Sequence, residues 1–243
     1  MIRTIVLLVT CMLSWQLASS QEIVRFKTSD NLQITADLYE TESQSDKWMI
    51  MTHQAEFSRG EFKEAARRMI KLGYNCLAID LRSGGEVNYV PNETAALAKE
   101  LGFPQTFLDC EKDILAAIDY VYSRSKNAQL TLFGSSFSAS LCLKIAKERS
   151  DIYALILFSP GEFFEPKISM KQTANGLKIP IFAGCPKSEY SYVKELLSGV
   201  KSPKLVIFKP DRGEGLHGSK TLWWESSTRN EFWLSLLFFL KGM

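Results

Sequence analysis

From residue 22 onward the chain alternates short apolar runs with segments whose apolar residues recur every three or four positions. That alternation restricts the fold more than any other feature. Strands separated by helices build a mainly parallel sheet covered on both faces. The runs "EIVRFK", "LQITADLY", "KWMIMT", "YNCLAID", "QLTLF", "YALILFS", "IPIFAG" and "KLVIFK" predict about eight strands. The first two, joined by "TSDN", read as a hairpin and so as an antiparallel edge. Helical stripes are expected in "EFKEAARRMIKLG", "LDCEKDILAAIDYVYSRS", "FSASLCLKIAKER", "EYSYVKELLSGV" and a final apolar helix over residues 222–241. Residues 159–178 carry weak helical character. Residues 81–107 read as irregular, with Gly84, Gly85 and Pro91 as breakers.

The first twenty residues stand apart. One arginine, an apolar stretch and then small residues (Ala18, Ser20) ahead of Gln21 read as a secretory signal peptide. Secretion or export to a periplasm is therefore expected, with no membrane span left after cleavage. Cys11 offers a lipoprotein anchor as the less favoured alternative, since no small residue stands just before it. The remaining 21–243 suffices for one domain with a full core.

Composition excludes several functions. The net charge of +2 and the scatter of basic residues give no support to a nucleic-acid partner. With two histidines and no cysteine pair at ligand spacing, a metal site is not expected. Of the four cysteines beyond the leader, Cys76 and Cys142 lie on apolar faces and read as buried small hydrophobes. Export would permit disulfides among Cys76, Cys110, Cys142 and Cys185.

In open sheets of this kind ligands bind beyond the carboxyl ends of the strands. Ser136 lies there, in Gly134-Ser135-Ser136-Phe137-Ser138, between a strand and a helix. A serine on so tight a turn needs small residues two before and two after it. Ser136 has Gly134 and Ser138. Ser135 would have two phenylalanines, and Ser138 would have no glycine. The pattern makes Ser136 the candidate nucleophile, with Ser138 as a packing residue in a glycine's place. Its general base is His217, in "DRGEGLHGSKTLW" after the last strand, because the chain order in such sites is serine, acid, histidine. His53 precedes the serine and is expected to shape its own turn. For the acid, Glu189 is the first carboxylate after "IPIFAG", and Asp211 is the alternative. The Phe137 N–H and one from Gln54-Ala55 are expected to form an oxyanion hole.

These motifs together resemble the α/β-hydrolase superfamily, in its dienelactone-hydrolase-like and secreted esterase-like branch. "THQAEFSRGEF" stands where the family has a His-Gly turn, "GYNCLAIDLRSGGE" is similar to its strand and Asp-x-Arg-Gly, "LFGSSFSAS" to its elbow, and "GLHGSKTLW" to its histidine loop. Three positions depart from the pattern: Gln54, Ser138, and "GCPKSE" in place of the usual aspartate. The resemblance implies an α/β-hydrolase fold with a small lid or none. It implies a serine hydrolase without metal or organic cofactor, a carboxylesterase of small or moderate-size esters working through an acyl-enzyme. A silent binding protein on the same scaffold, and a peptidase of the same fold, are the alternatives.

Overall fold

The computed structural model describes residues 21–243, so the leader read at 1–20, with Cys11, lies outside the described residues. Strands β1 (Gln21–Lys27) and β2 (Gln33–Tyr39) form the expected hairpin. They are followed by β3 (Lys47–Thr52), α1 (Lys63–Lys71), β4 (Asn75–Ile79), a two-residue hairpin of β5 (Glu86–Val87) and β6 (Val90–Pro91), and α2 (Glu93–Glu100). Next come α3 (Glu111–Arg124), β7 (Gln129–Ser135), α4 (Phe137–Glu148), β8 (Ile152–Phe158) and α5 (Met170–Ala174). The chain closes with β9 (Ile181–Gly184), α6 (Lys187–Leu196), β10 (Leu205–Phe208) and α7 (Arg229–Lys241). Eight strands make one sheet in the order β1-β2-β4-β3-β7-β8-β9-β10. From β4 to β10 all neighbours are parallel, while β2 runs antiparallel to both β1 and β4. This is the α/β-hydrolase fold with little lid: the β8–β9 connection carries no more helix than the five-residue α5.

The period of two along each strand divides the core. In β3, Trp48 and Ile50 face α3 and α4, while Met49 and Met51 face α1 and α7. The larger cluster also takes in α5 and α6. The smaller is aromatic: Phe62, Phe133, Phe158, Phe182, Phe232 and Phe239 pack ring to ring through it. All four cysteines are buried and free, and burial pushes the Cys142 and Cys185 thiols up to about 12.

Two elements differ from the expectation. The segment 81–107 contains α2, whose start is capped by Asn92 accepting from the Ala95 N–H at 2.7 Å. Asn92 is an ordinary N-cap residue ahead of an alanine-rich run, and Gly84, Gly85 and Pro91 obscure it. The last helix begins at Arg229 rather than near 222. A short 3-10 turn (Ser219–Leu222) and an irregular stretch precede it, held by Trp223 Nε1 donating to the Glu61 carbonyl and Trp233 Nε1 to that of Leu222. The apolar pattern continues through that stretch, but these indole bonds take the place of helical ones.

The Asp80-Leu81-Arg82 motif is structural. Asp80 accepts from the Arg59 side chain at 2.6 Å and from its N–H at 2.8 Å, and Arg59 also meets Asp37 and Glu93. Arg82, fully buried, pairs with Asp113 and Asp30. Burial raises Asp80 and Asp113 to about 6 against the opposing pull of their arginines. These pairs fasten the 81–107 segment to the sheet. Among the described residues no helix is long and apolar enough to cross a membrane, and no three His, Cys, Asp or Glu side chains are grouped to hold a metal.

Candidate active site

The parallel strands end in register. Thr52 of β3 is level with Gly134 of β7, Ser135 with Phe158 of β8, and Phe158 with Gly184 of β9, itself level with Phe208 of β10. Their following loops therefore emerge side by side along one edge of the sheet. These loops carry residues 53–57, 136, 159, 185–189 and 209–218, which is where the sequence placed its candidates.

Ser136 sits on the turn from β7 into α4 with φ +61° and ψ −125°. A non-glycine residue there is strained. The strain is held from both sides: the Ser136 N–H donates to the Phe158 carbonyl at 2.7 Å, and its own carbonyl accepts from Ala139 N–H at 3.0 Å. Gly134 permits the turn, since a Cβ there would lie 2.4 Å from Ala139 Cα. We expect Gly134→Ala to force α4 away from the strand and to abolish soluble folded protein, read by circular dichroism and size exclusion.

Each serine of the stretch has its own partner. Ser138 does more than fill a glycine's place: its hydroxyl donates to the Thr52 carbonyl at 2.7 Å and accepts the Ser135 N–H at 3.0 Å, pinning the turn to β3. Ser140 bonds the Gly161 carbonyl and N–H, at 2.7 and 2.9 Å. Ser135 donates to Glu61 at 2.7 Å. Ser136 Oγ lies 2.8 Å from His217 Nε2.

His217 Nδ1 is in turn 2.6 Å from Glu189 Oε1. An ionised carboxylate only accepts, so it takes the Nδ1 proton and leaves Nε2 facing the serine hydroxyl as an acceptor. Glu189 lies in the first turn of α6. Burial alone would raise its carboxyl, but hydrogen bonds from His217 and Ser159 outweigh that and hold it below the usual carboxylate value. Asp211 is not brought to this site. It is exposed, and its N–H donates to Glu231 at 2.7 Å while its carbonyl accepts from Lys187. The histidine loop is tied to α6 through Glu214, which accepts the Lys187 N–H on its carbonyl and the Ser188 N–H on its carboxylate.

The Phe137 N–H opens α4, and the Ala55 N–H lies in the turn after β3. Neither has an acceptor among the described residues. Of the pair Gln54-Ala55, from which one donor was expected, the Gln54 N–H is already engaged, donating to Glu61 Oε2 at 2.8 Å, which leaves the Ala55 N–H. The Gln54 side chain packs so tightly that a Cβ on Gly218 would sit 2.2 Å from its Oε1. Gly218 also has φ +73°, the left-handed region. Replacing it with alanine should displace the neighbouring His217 and lower turnover by roughly 100-fold, with a smaller change in Tm.

His53 is fully buried and closed into its turn. Its Nδ1 lies 2.8 Å from the Gln54 carbonyl, and its Nε2 accepts the Leu81 N–H at 2.9 Å. Desolvation lowers it to about 4, partly opposed by the bond to Gln54. A histidine whose folded value lies below its unfolded one loses stability as pH falls through that window, because the unfolded chain then binds the extra proton. Between pH 6.5 and about 4 this amounts to about 3 kcal/mol. The gap in unfolding free energy between wild type and His53→Asn should narrow over that range. A constant gap would mean that His53 is not held neutral.

Three residues of the site escaped the sequence reading: Glu61, Ser159 and Ser219. Ser159 had a visible signal, standing directly after β8 as Ser136 does after β7. It too has a positive φ, +52°, and it accepts the Gly218 N–H at 3.0 Å. Glu61 and Ser219 had none, since neither follows a strand directly. A surface hollow of about 460 Å³ between α5 and the end of α6, lined by residues such as Lys171 and Ser198, is separate from all of these.

The sequence matches no family model and no curated relative. Solved structures of the same fold do match over nearly the whole chain. An esterase of Pyrococcus furiosus superposes with TM-score 0.64 at 19% identity, covering 92% of this chain and 91% of its own. A dienelactone hydrolase from Anabaena variabilis superposes with TM-score 0.66 at 15% identity, over 91% and 97%. An acylaminoacyl peptidase of Pyrococcus horikoshii gives 0.64 at 15%, over 90% of this chain and 41% of that one. At these identities the likeness establishes the α/β-hydrolase fold.

Proposed function

We propose that this chain is a serine hydrolase of carboxylic esters, small or moderate in size, acting outside the cytoplasm as its leader implies. The observation that carries the reading is the unbroken chain from Ser136 Oγ through His217 to Glu189, at 2.8 and 2.6 Å. Ser136 attacks the ester carbonyl carbon while His217 Nε2 takes its proton. The tetrahedral oxyanion is received by the Phe137 and Ala55 N–H groups, with the N-terminus of α4 adding favourable field. Its collapse expels the alcohol, protonated by His217, and leaves an acyl group on Ser136. Water, deprotonated by the same nitrogen, then releases the acid. Glu189 holds the imidazole in the required tautomer and stabilises its charged form. The steps need no metal or organic cofactor.

The esterase, the dienelactone hydrolase and the peptidase of the same fold support a hydrolytic reading in common. The little lid favours freely diffusing esters over an aggregated lipid. A fluorophosphonate probe tests the proposal. The wild type should take one label, mapped by mass spectrometry to the peptide containing Ser136. An unlabelled wild type would point to a silent binding protein. A label that persists in Ser136→Ala would reassign the nucleophile. Faster cleavage of peptide anilides than of matched esters would turn the reading toward a peptidase.

A further inference from the structure

Glu61 is 1% exposed, in the 3-10 turn (Arg59–Phe62) ahead of α1, with no basic side chain paired to it among the described residues. Three donors converge on its carboxylate. Oε2 accepts the Gln54 N–H at 2.8 Å, and Oε1 accepts the hydroxyls of Ser135 at 2.7 Å and Ser219 at 2.6 Å. The Ser219 N–H closes the ring on Ser135 Oγ at 2.8 Å. A buried carboxylate is costly unless its lone pairs are met, and here the donors come from three places: the turn after β3, the end of β7 and the segment after β10. Gln54 is next to the oxyanion donor Ala55, Ser135 is next to Ser136, and Ser219 lies two residues beyond His217. Near β3, β7 and β10 these loops have separate strand anchors. Glu61 is the side chain on which all three meet.

We infer that Glu61 is a positioning residue, one that fixes the oxyanion turn, the nucleophile turn and the histidine loop relative to one another. The inference rests on the proposed reaction and adds to it a residue that touches no substrate. Attack requires Ser136 Oγ, His217 Nε2 and the Ala55 N–H to be aligned at once, and small misplacements are expensive. An apolar contact could hold the loops together but could not set their register to the same degree, because hydrogen bonds are directional.

Glu61→Gln is the sharp test. The amide keeps the shape but has one acceptor oxygen. Either its NH₂ group faces the Gln54 N–H, which can only donate, or the Ser135 and Ser219 hydroxyls must turn round and accept from it, giving up the bonds they donate to Oε1. Second-order labelling by the fluorophosphonate and kcat/KM for p-nitrophenyl butyrate should fall together, by roughly 10- to 100-fold. Affinity for a trifluoromethyl ketone, which mimics the tetrahedral adduct, should fall by the same factor. Ser219→Ala removes a single donor and should move all three readouts in the same direction by less. A purely structural role would behave like Ile118→Ala, a core truncation in α3 that should lower Tm while leaving the rates of the folded protein within about twofold. The inference is overturned if folded Glu61→Gln keeps the wild-type rates or loses no more than Ile118→Ala. If Glu61→Gln does not fold, wild-type rates in Ser219→Ala overturn it. An unlabelled wild type overturns the underlying reaction instead, which separates the two failures.

Discussion

Ser136→Ala should fold as the wild type does and lose on the order of 10⁶-fold in kcat toward p-nitrophenyl esters. The substitution removes the Oγ that lies 2.8 Å from His217 and little else. The backbone at φ +61° is held by the Ser136 N–H bond to Phe158 and by the helix that follows, neither of which involves the hydroxyl. Stability should therefore change by no more than a lost hydrogen bond, about 1 kcal/mol. Ser136→Gly sharpens the point. Glycine carries no Cβ penalty at positive φ, so this variant should be as inactive as the alanine one yet more stable by about 1 kcal/mol, with a correspondingly higher Tm. A glycine variant that melts lower would mean that the turn is not strained. Retention of more than a small residual rate by either variant would remove Ser136 from the mechanism.

Glu189→Gln should lower kcat by roughly 10³- to 10⁴-fold, whereas Asp211→Asn should leave it within about twofold. The reason is the tautomer. Glu189, a pure acceptor, takes the Nδ1 proton at 2.6 Å and so leaves Nε2 free to receive the serine proton. A glutamine can turn its NH₂ toward Nδ1, which places the proton on Nε2, where it blocks the transfer. Asp211 is engaged through its backbone with Glu231 and Lys187, away from the imidazole. The reverse ranking would mean that the histidine loop rearranges in the working enzyme. The same bond has a consequence for stability. Because the folded Glu189 carboxyl lies below its ordinary value, it stabilises the fold above that ordinary value, and the contribution is lost as pH falls through the folded one. Glu189→Gln should therefore flatten the acid limb of the stability curve, measured by denaturant titration between pH 6 and about 3.

How much of this was legible in the sequence depends on whether a residue's surroundings are local. Gly134 and Ser138 flank Ser136 within five residues, so size alone singles out Ser136 among four serines. Two histidines and the order of the chain then lead to His217. The acid was open because Glu189 and Asp211 both follow strands in the same part of the chain. What separates them is the orientation of α6 against the histidine loop, fixed by Glu214 across 26 residues. Gln54 looked like an available donor because nothing nearby in sequence shows that its N–H is taken. Helix α2 is hidden in the sequence because glycines and a proline beside it break the pattern before Asn92 restarts it.

The strand and helix alternation, the parallel sheet with its antiparallel edge, and the small-residue turn that carries Ser136 are written locally in the chain. Each follows from periodicity, side-chain size or backbone freedom within a short window. Which carboxylate meets His217, which N–H groups are left without an acceptor, and the meeting of three segments on a glutamate near α1 depend on the packed fold. Those are matters of direction and distance between segments up to 158 residues apart. Hydrogen bonds form only where a donor and an acceptor arrive together, and the register of the parallel strands is what brings them there.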